Sequence, residues 1–289
     1  MKDKIKFIVS MLAFGTVGLF VRGINMPSSI IALVRGGIAT LLLLILARFR
    51  REPMDKSAIK KNLALLIISG CAIGFNWILF FESYRYTTVA VTTLCYYLAP
   101  VFVILLSPLV LGEKLTLKKS LCVLTALMGM VFVSGIFDPG GVDNTKFKGI
   151  LFGVGAAALY AFVVLMNKKM VGIGGMDRTL FQLGFATLAL VPYVFFEKAP
   201  LELTLQSAGL LLILGVFHTG ICYSMYFSSL KELPAQTSSI LSYLDPVAAI
   251  ILSDIILGEK MSYFGIIGAV LLLGAMLVSE LNFKKKQSE

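Results

Sequence analysis

Tyr97-Leu98-Ala99-Pro100-Val101, closing on Leu111-Gly112-Glu113-Lys114, returns 146 positions later as Tyr243-Leu244-Asp245-Pro246-Val247, closing on Leu257-Gly258-Glu259-Lys260. Under that shift eleven of the eighteen positions from 97 to 114 are identical, and no gap is needed. A fixed-period repeat sets the architecture before any local reading does. In an apolar chain it points to a carrier made from two copies of one helical unit.

The chain is apolar enough for that. Its 289 residues are 58% hydrophobic and 15% charged, against about 45–50% and about 25% in soluble domains. Ten apolar runs fall near 6–22, 28–48, 62–82, 88–111, 117–137, 149–168, 177–196, 207–229, 235–257 and 263–282. A hydrocarbon core of about 30 Å takes about 20 helical residues. Backbone groups in lipid must be satisfied within the segment, so the runs read as helices, and they lack the alternation of a membrane barrel. The expected fold is an all-α integral membrane protein of ten transmembrane helices. Residues 1–137 form the first five-helix repeat, 138–148 an external inter-repeat loop, and 149–289 the second repeat with a basic tail.

Charge sets the orientation. With the N-terminus inside, nineteen of the 26 Lys and Arg flank the inner helix ends, including Arg48, Arg50, Arg51 and Lys284–Lys286. Six (Arg22, Arg85, Lys146, Lys148, Lys198 and Lys260) flank the outer ends, and Arg35 lies within a helix. Positive charge favours the cytoplasmic side, so both termini are expected there. Five helices is an odd number, so the second copy enters from the opposite face. The two halves are then inverted repeats that can open to either side in turn. The net charge of +10 suits anionic headgroups at the inner face and implies no nucleic acid.

With helix count, duplication and the Pro-to-Gly-Glu element in place, the chain resembles the ten-helix EamA branch of the drug/metabolite transporter superfamily. The residues that carry the resemblance are Pro100 with Gly112-Glu113, Pro246 with Gly258-Glu259, and the stretch from Pro27 through Ala32 to Arg35. The offset carries Arg35 to Phe181, so the second repeat lacks that arginine. The resemblance implies a secondary transporter with a central cavity, handling amino acids, related metabolites or drugs, often as an exporter, in a bacterial cytoplasmic membrane.

Features shared by both halves read as scaffold, and features in one half read as function. Ala72 becomes His218, the only histidine, and Ala99 becomes Asp245. Measured from the turn near 232, both lie about 20 Å along their helices at 1.5 Å per residue, near mid-bilayer. Ionisable groups there are site candidates. The pair can bind an ammonium or relay a proton, and it can equally serve the helix break at Pro246. Ser238, Ser242 and Asp245 share one helical face; the equivalent face carries Thr92, Tyr96 and Ala99, which suggests an aromatic wall on one side. Asn76, Trp77, Tyr223 and Tyr226 extend the candidate binding set. Pro100 and Pro246 are candidate hinges. Arg35, Glu113 and Glu259 are candidate gate residues, with Arg35 snorkelling to headgroups or pairing with Glu82, binding substrate being its lesser reading, and each glutamate capping the next helix.

No metal or organic cofactor is expected, because neither metal-ligand spacing nor a glycine-rich phosphate loop is present. The four cysteines lie in apolar runs and read as inert thiols. An enzyme is disfavoured on the same grounds. An uptake permease competes with export, and a channel or receptor is the alternative outside transport.

Overall fold

The computed structural model describes residues 2–49, 54–197, 203–230 and 232–281. Arg50, Arg51, Lys198, Lys231 and Lys284–Lys286, counted above among the flanking charges, lie outside the described residues. Within those residues every element is helical. They run α1 (Lys2–Arg22), α2 (Ser28–Phe49), α3 (Lys56–Lys61), α4 (Leu63–Tyr86), α5 (Val89–Tyr96), α6 (Ala99–Leu111), α7 (Leu117–Val133) and α8 (Asn144–Lys169). After α9 (Gly175–Glu197) and α10 (Leu205–Leu212) comes a π-helical stretch, Ile213–Ile221, and then α11 (Cys222–Leu230), α12 (Ala235–Ser242), α13 (Leu244–Leu257) and α14 (Tyr263–Glu280).

Nine helical stretches among the described residues are long and apolar enough to cross a membrane, with α5–α6, α10 through α11 and α12–α13 each taken as one. α7, at 17 residues, is not among the nine. Its apolar run reaches 137, but the helix stops at Val133 and Gly135 turns left-handed at φ 83°.

Proline explains the two broken helices. It lacks an N–H and clashes with the preceding turn, so it suits the start of a helix better than its interior. The chain turns at Tyr97-Leu98 and at Tyr243, and α6 and α13 begin just before Pro100 and Pro246. The far ends match too. Gly112 and Gly258 close α6 and α13 at φ 70° and 67°. The N–H groups of Glu113 and Glu259 then fold back to the carbonyls of Ser107 and Ser253, at 3.4 and 3.2 Å, which gives partners to carbonyls of the last turn. Nothing lies within 4 Å of a Cβ built on either glycine, so backbone conformation alone requires glycine there. Gly258→Ala should therefore cost about 1–2 kcal/mol, with Gly258→Asn costing less, read as thermal unfolding in detergent.

α4 lies along α8 and α9, α7 along α14, α2 on α9, and α1 against α11 and α13. Lipid tails give apolar helices no reason to associate, so close approach through small residues matters. Gly15 of α1 is such a point. A Cβ there would stand 2.6 Å from the Asp245 carbonyl and 2.8 Å from the Ala248 Cβ.

Polar cross-links define two faces. On one, Asn62 exchanges hydrogen bonds with the backbone of Val171 at 2.9 and 3.2 Å, Glu113 pairs with Lys168, and Lys118 meets the Leu281 carbonyl. On the other, Arg22 pairs with Glu259, Ser28 donates to Glu82 and Ser29 to Glu197.

Candidate functional site

A cavity of about 480 Å³ lies among α1, α2, α4, α5, α6, α8, α9, α11, α12, α13 and α14, within the range of small-molecule sites. Asn76, Trp77 and Tyr96 line it from one half of the chain, and Tyr223, Tyr226, Ser242 and Asp245 from the other. Thr92, Ser238 and His218 do not.

Asp245 sits in the first turn of α13, where the helix dipole favours a carboxylate. Its Oδ2 accepts from the Tyr97 hydroxyl at 3.2 Å, and the same hydroxyl lies 3.1 Å from the Ser242 carbonyl. Asn76 donates to the Ala156 carbonyl at 2.6 Å, tying α4 to α8, and its Oδ1 faces the Tyr96 hydroxyl at 3.4 Å. Aromatic rings stand on two sides of the cavity rather than one. Tyr96 packs 4.5 Å from Phe80 and 5.3 Å from Tyr160, while Phe14 meets Tyr223 edge-on at 5.4 Å.

Three expected binders lie off the cavity lining. Thr92 is buried, with its hydroxyl 2.9 Å from Ser83, which donates to the Gly149 carbonyl at 2.7 Å. This chain joins α4, α5 and α8. Ser238 is buried, and its carbonyl accepts from Ser242 at 2.8 Å. His218 does not meet Asp245. It is 1% exposed, with Nε2 2.8 Å from Thr16 Oγ1, Nδ1 3.3 Å from the Ile213 carbonyl, and Phe20 4.8 Å away. Equal distance from the turn leaves the rotation of each helix about its axis open. His218 lies in the π-helical stretch, where bonding runs to the fifth residue back and turns the side chains relative to an α-helix.

Arg35 also departs from expectation. It neither snorkels nor pairs with Glu82. Only 5% exposed, it lines the cavity and donates from Nε to Thr219 Oγ1 at 2.6 Å. Its guanidinium lies 4.8 Å from the Trp77 ring centre and 5.6 Å from that of Phe81. Glu82 instead accepts from Ser28 at 2.6 Å and meets Arg85 at 3.5 Å.

The two glutamates form clasps on opposite faces. Glu259 Oε1 is 2.5 Å from Arg22, and Oε2 accepts from the Val89 N–H at 2.7 Å. It therefore caps α5, not the following helix α14, whose cap is Ser262. Arg22 adds a bond to the Thr87 carbonyl at 2.8 Å. The offset of 146 carries Arg22 to Lys168 and Glu113 to Glu259, so the same pair recurs as Glu113–Lys168, 3.4 Å apart. Lys168 and then Lys119 hold the Glu113 carboxylate below its ordinary range. The clasps are unequal: the Glu259 side chain is 13% exposed and that of Glu113 40%. The cavity lining reaches Asn167 near the end of α8, Arg178 in the first turn of α9 and Glu280 at the end of α14, all on the Glu113 face.

Sequence reasoning missed several lining residues. Tyr97 recurs as Tyr243 under the offset, and a shared feature reads as scaffold. Tyr160 was findable, since the offset pairs it with Phe14, a polar difference of the kind that picked out Asp245. Arg178 is one of the nineteen basic residues that flank the inner helix ends. Gln182, bonded to Ser69 and Asn167 at 2.7 Å each, carried no such signal.

The family model described as the EamA-like transporter family matches residues 4–135 and again 147–280. The "Uncharacterized transporter YxxF" of Bacillus subtilis (strain 168) is 30% identical over 279 residues, covering 95% of this chain and 88% of its own. "Protein PecM" of Dickeya dadantii (strain 3937) is 27% identical over 219 residues, covering 74% and 72%. One solved crystal structure superposes with a TM-score of 0.63 at 19% identity, covering 96% of each chain. That likeness speaks to the fold alone.

Proposed function

The chain belongs to the EamA-like transporter family, and from that premise we propose that it is a secondary transporter moving a small polar solute, an amino acid or related metabolite, across the cytoplasmic membrane by alternating access. The observation that carries this reading is the cavity itself, with Asp245 presented into it at the break between α12 and α13.

In this reading α7, packed along α14, is the tenth span. The halves are inverted repeats of five spans each. Support comes from the paired breaks before Pro100 and Pro246, the paired left-handed closures at Gly112 and Gly258, and the family model's match to each half. Lys60, Lys61, Lys118, Lys119, Lys168 and Lys169 lie by the Glu113 face, which is therefore taken as cytoplasmic. The cavity reaches that face while the tighter clasp closes the other. The conformation is then open inward, with Glu259–Arg22 as the shut outer gate and Glu113–Lys168 as the inner gate left loose. Pro100 and Pro246 are the hinges. A site loaded from the cytoplasm favours export over uptake. Proton coupling, if the carrier uses it, falls to Asp245, since both ring nitrogens of His218 are engaged.

The test is counterflow in liposomes with amino acids and related metabolites, at pH 6 and pH 8. Asp245→Asn should lower saturable exchange by about tenfold or more, the equivalent of about 1.4 kcal/mol. Wild-type exchange and wild-type pH dependence in that variant would remove Asp245 from the site.

A further inference from the structure

We propose that Arg35 is the seat of a substrate carboxylate, so that the cargo is a carboxylate-bearing small molecule and not a simple cation. The inference deepens the transport reading and rests on its premise that the cavity is the transport site.

The side chain is held from three directions. Nε is fixed by Thr219, whose hydroxyl donates in turn to the Leu214 carbonyl at 2.8 Å. Trp77 and Phe81 lie against the guanidinium, a cation–π arrangement that strengthens when water is excluded. A guanidinium carries five donors, and among the described residues Nε alone makes a hydrogen bond. The remaining Nη donors belong to a group that lines the cavity.

Charge makes the case sharper. Arginine cannot discharge itself by losing a proton, and a buried charge without a partner is costly. Among the described residues no acid forms an ion pair with Arg35. Glu82 is taken by Ser28 and Arg85, and Asp245 by Tyr97. The planar fork of a guanidinium matches a carboxylate with two parallel hydrogen bonds. Asp245 in the same cavity repels a dianion and accepts a positive nitrogen. A monoanionic carboxylate on an apolar body, with or without an amine, fits both poles and the aromatic walls.

The experiment uses the purified full-length protein and three probes that share one body: phenylalanine, 3-phenylpropanoate and phenethylamine. Thermal stabilisation gives apparent affinity, and liposome counterflow gives exchange. The two carboxylates should bind at least about tenfold more tightly than phenethylamine, and Arg35→Gln should erase that preference. Arg35→Lys, which keeps the charge without the fork, should retain only part of it. Phenethylamine binding as tightly as 3-phenylpropanoate, or no carboxylate binding at all, overturns the proposal on the wild-type protein alone, whatever the variants do. An unchanged preference in Arg35→Gln overturns it as well. Carboxylate preference without exchange of any probe would sink the transport reading and leave the subsite standing. Exchange without that preference would do the reverse.

Discussion

Cross-linking Arg22→Cys to Glu259→Cys with a short bifunctional thiol reagent is expected to stop exchange almost completely, and cleavage of the link to restore it. Cys71→Ser is a suitable background, since Cys95, Cys122 and Cys222 are buried. Glu259 bonds at once to the end of α1 and to the first residue of α5. Opening that face requires both contacts to part. A hydrogen bond to a charged group is worth about 1.5–3 kcal/mol, so under the proposed alternating access the clasp would weigh heavily on which face stands open. Glu259→Gln removes the charge from both contacts. It should raise the labelling of Tyr96→Cys by a membrane-impermeant thiol reagent from the Arg22 side by about tenfold or more. Glu113→Gln removes only exposed contacts to Lys168 and Lys119, which screen readily, and should change that labelling little. Equal effects from the two variants would mean that the clasps do not gate.

Gly15→Leu is expected to destabilise the protein by about 3 kcal/mol, the upper part of the usual overpacking range, and to remove saturable exchange. Its Cβ would meet backbone at 2.6 Å, not a flexible side-chain tip. α1 would have to leave α13 at the height of Asp245. Gly15→Ala should show a weaker form of both effects. Thermal unfolding in detergent reads the first and counterflow the second. A leucine variant with normal unfolding would show that α1 and α13 are not held this closely.

The broken helices, the closures at Gly112 and Gly258 and most helix boundaries to within two residues were legible in the sequence, because proline, glycine and long apolar runs act through local backbone physics. The cavity was legible where the halves differ, as at Asp245 and Tyr96. It was not legible where rotation about a helix axis decided the outcome. His218 and Thr219 lie in a π-helical stretch that no residue pattern announced, and it turns one to Thr16 and brings the other to Arg35. Arg35 itself reads like a snorkelling residue near a helix end. Only the packing of α2 against α4 and the π-helical stretch reveals that it faces inward.

The inequality of the two clasps also bears on how affinity would be measured. A carrier whose empty form rests mostly open to one side presents its binding site to the other side for only a fraction of the time. Apparent dissociation constants on the two faces then differ by that fraction, with no difference in the site itself. Such a protein would look like a one-way exporter in initial-rate assays, although the gradients alone would still fix the net direction of flow.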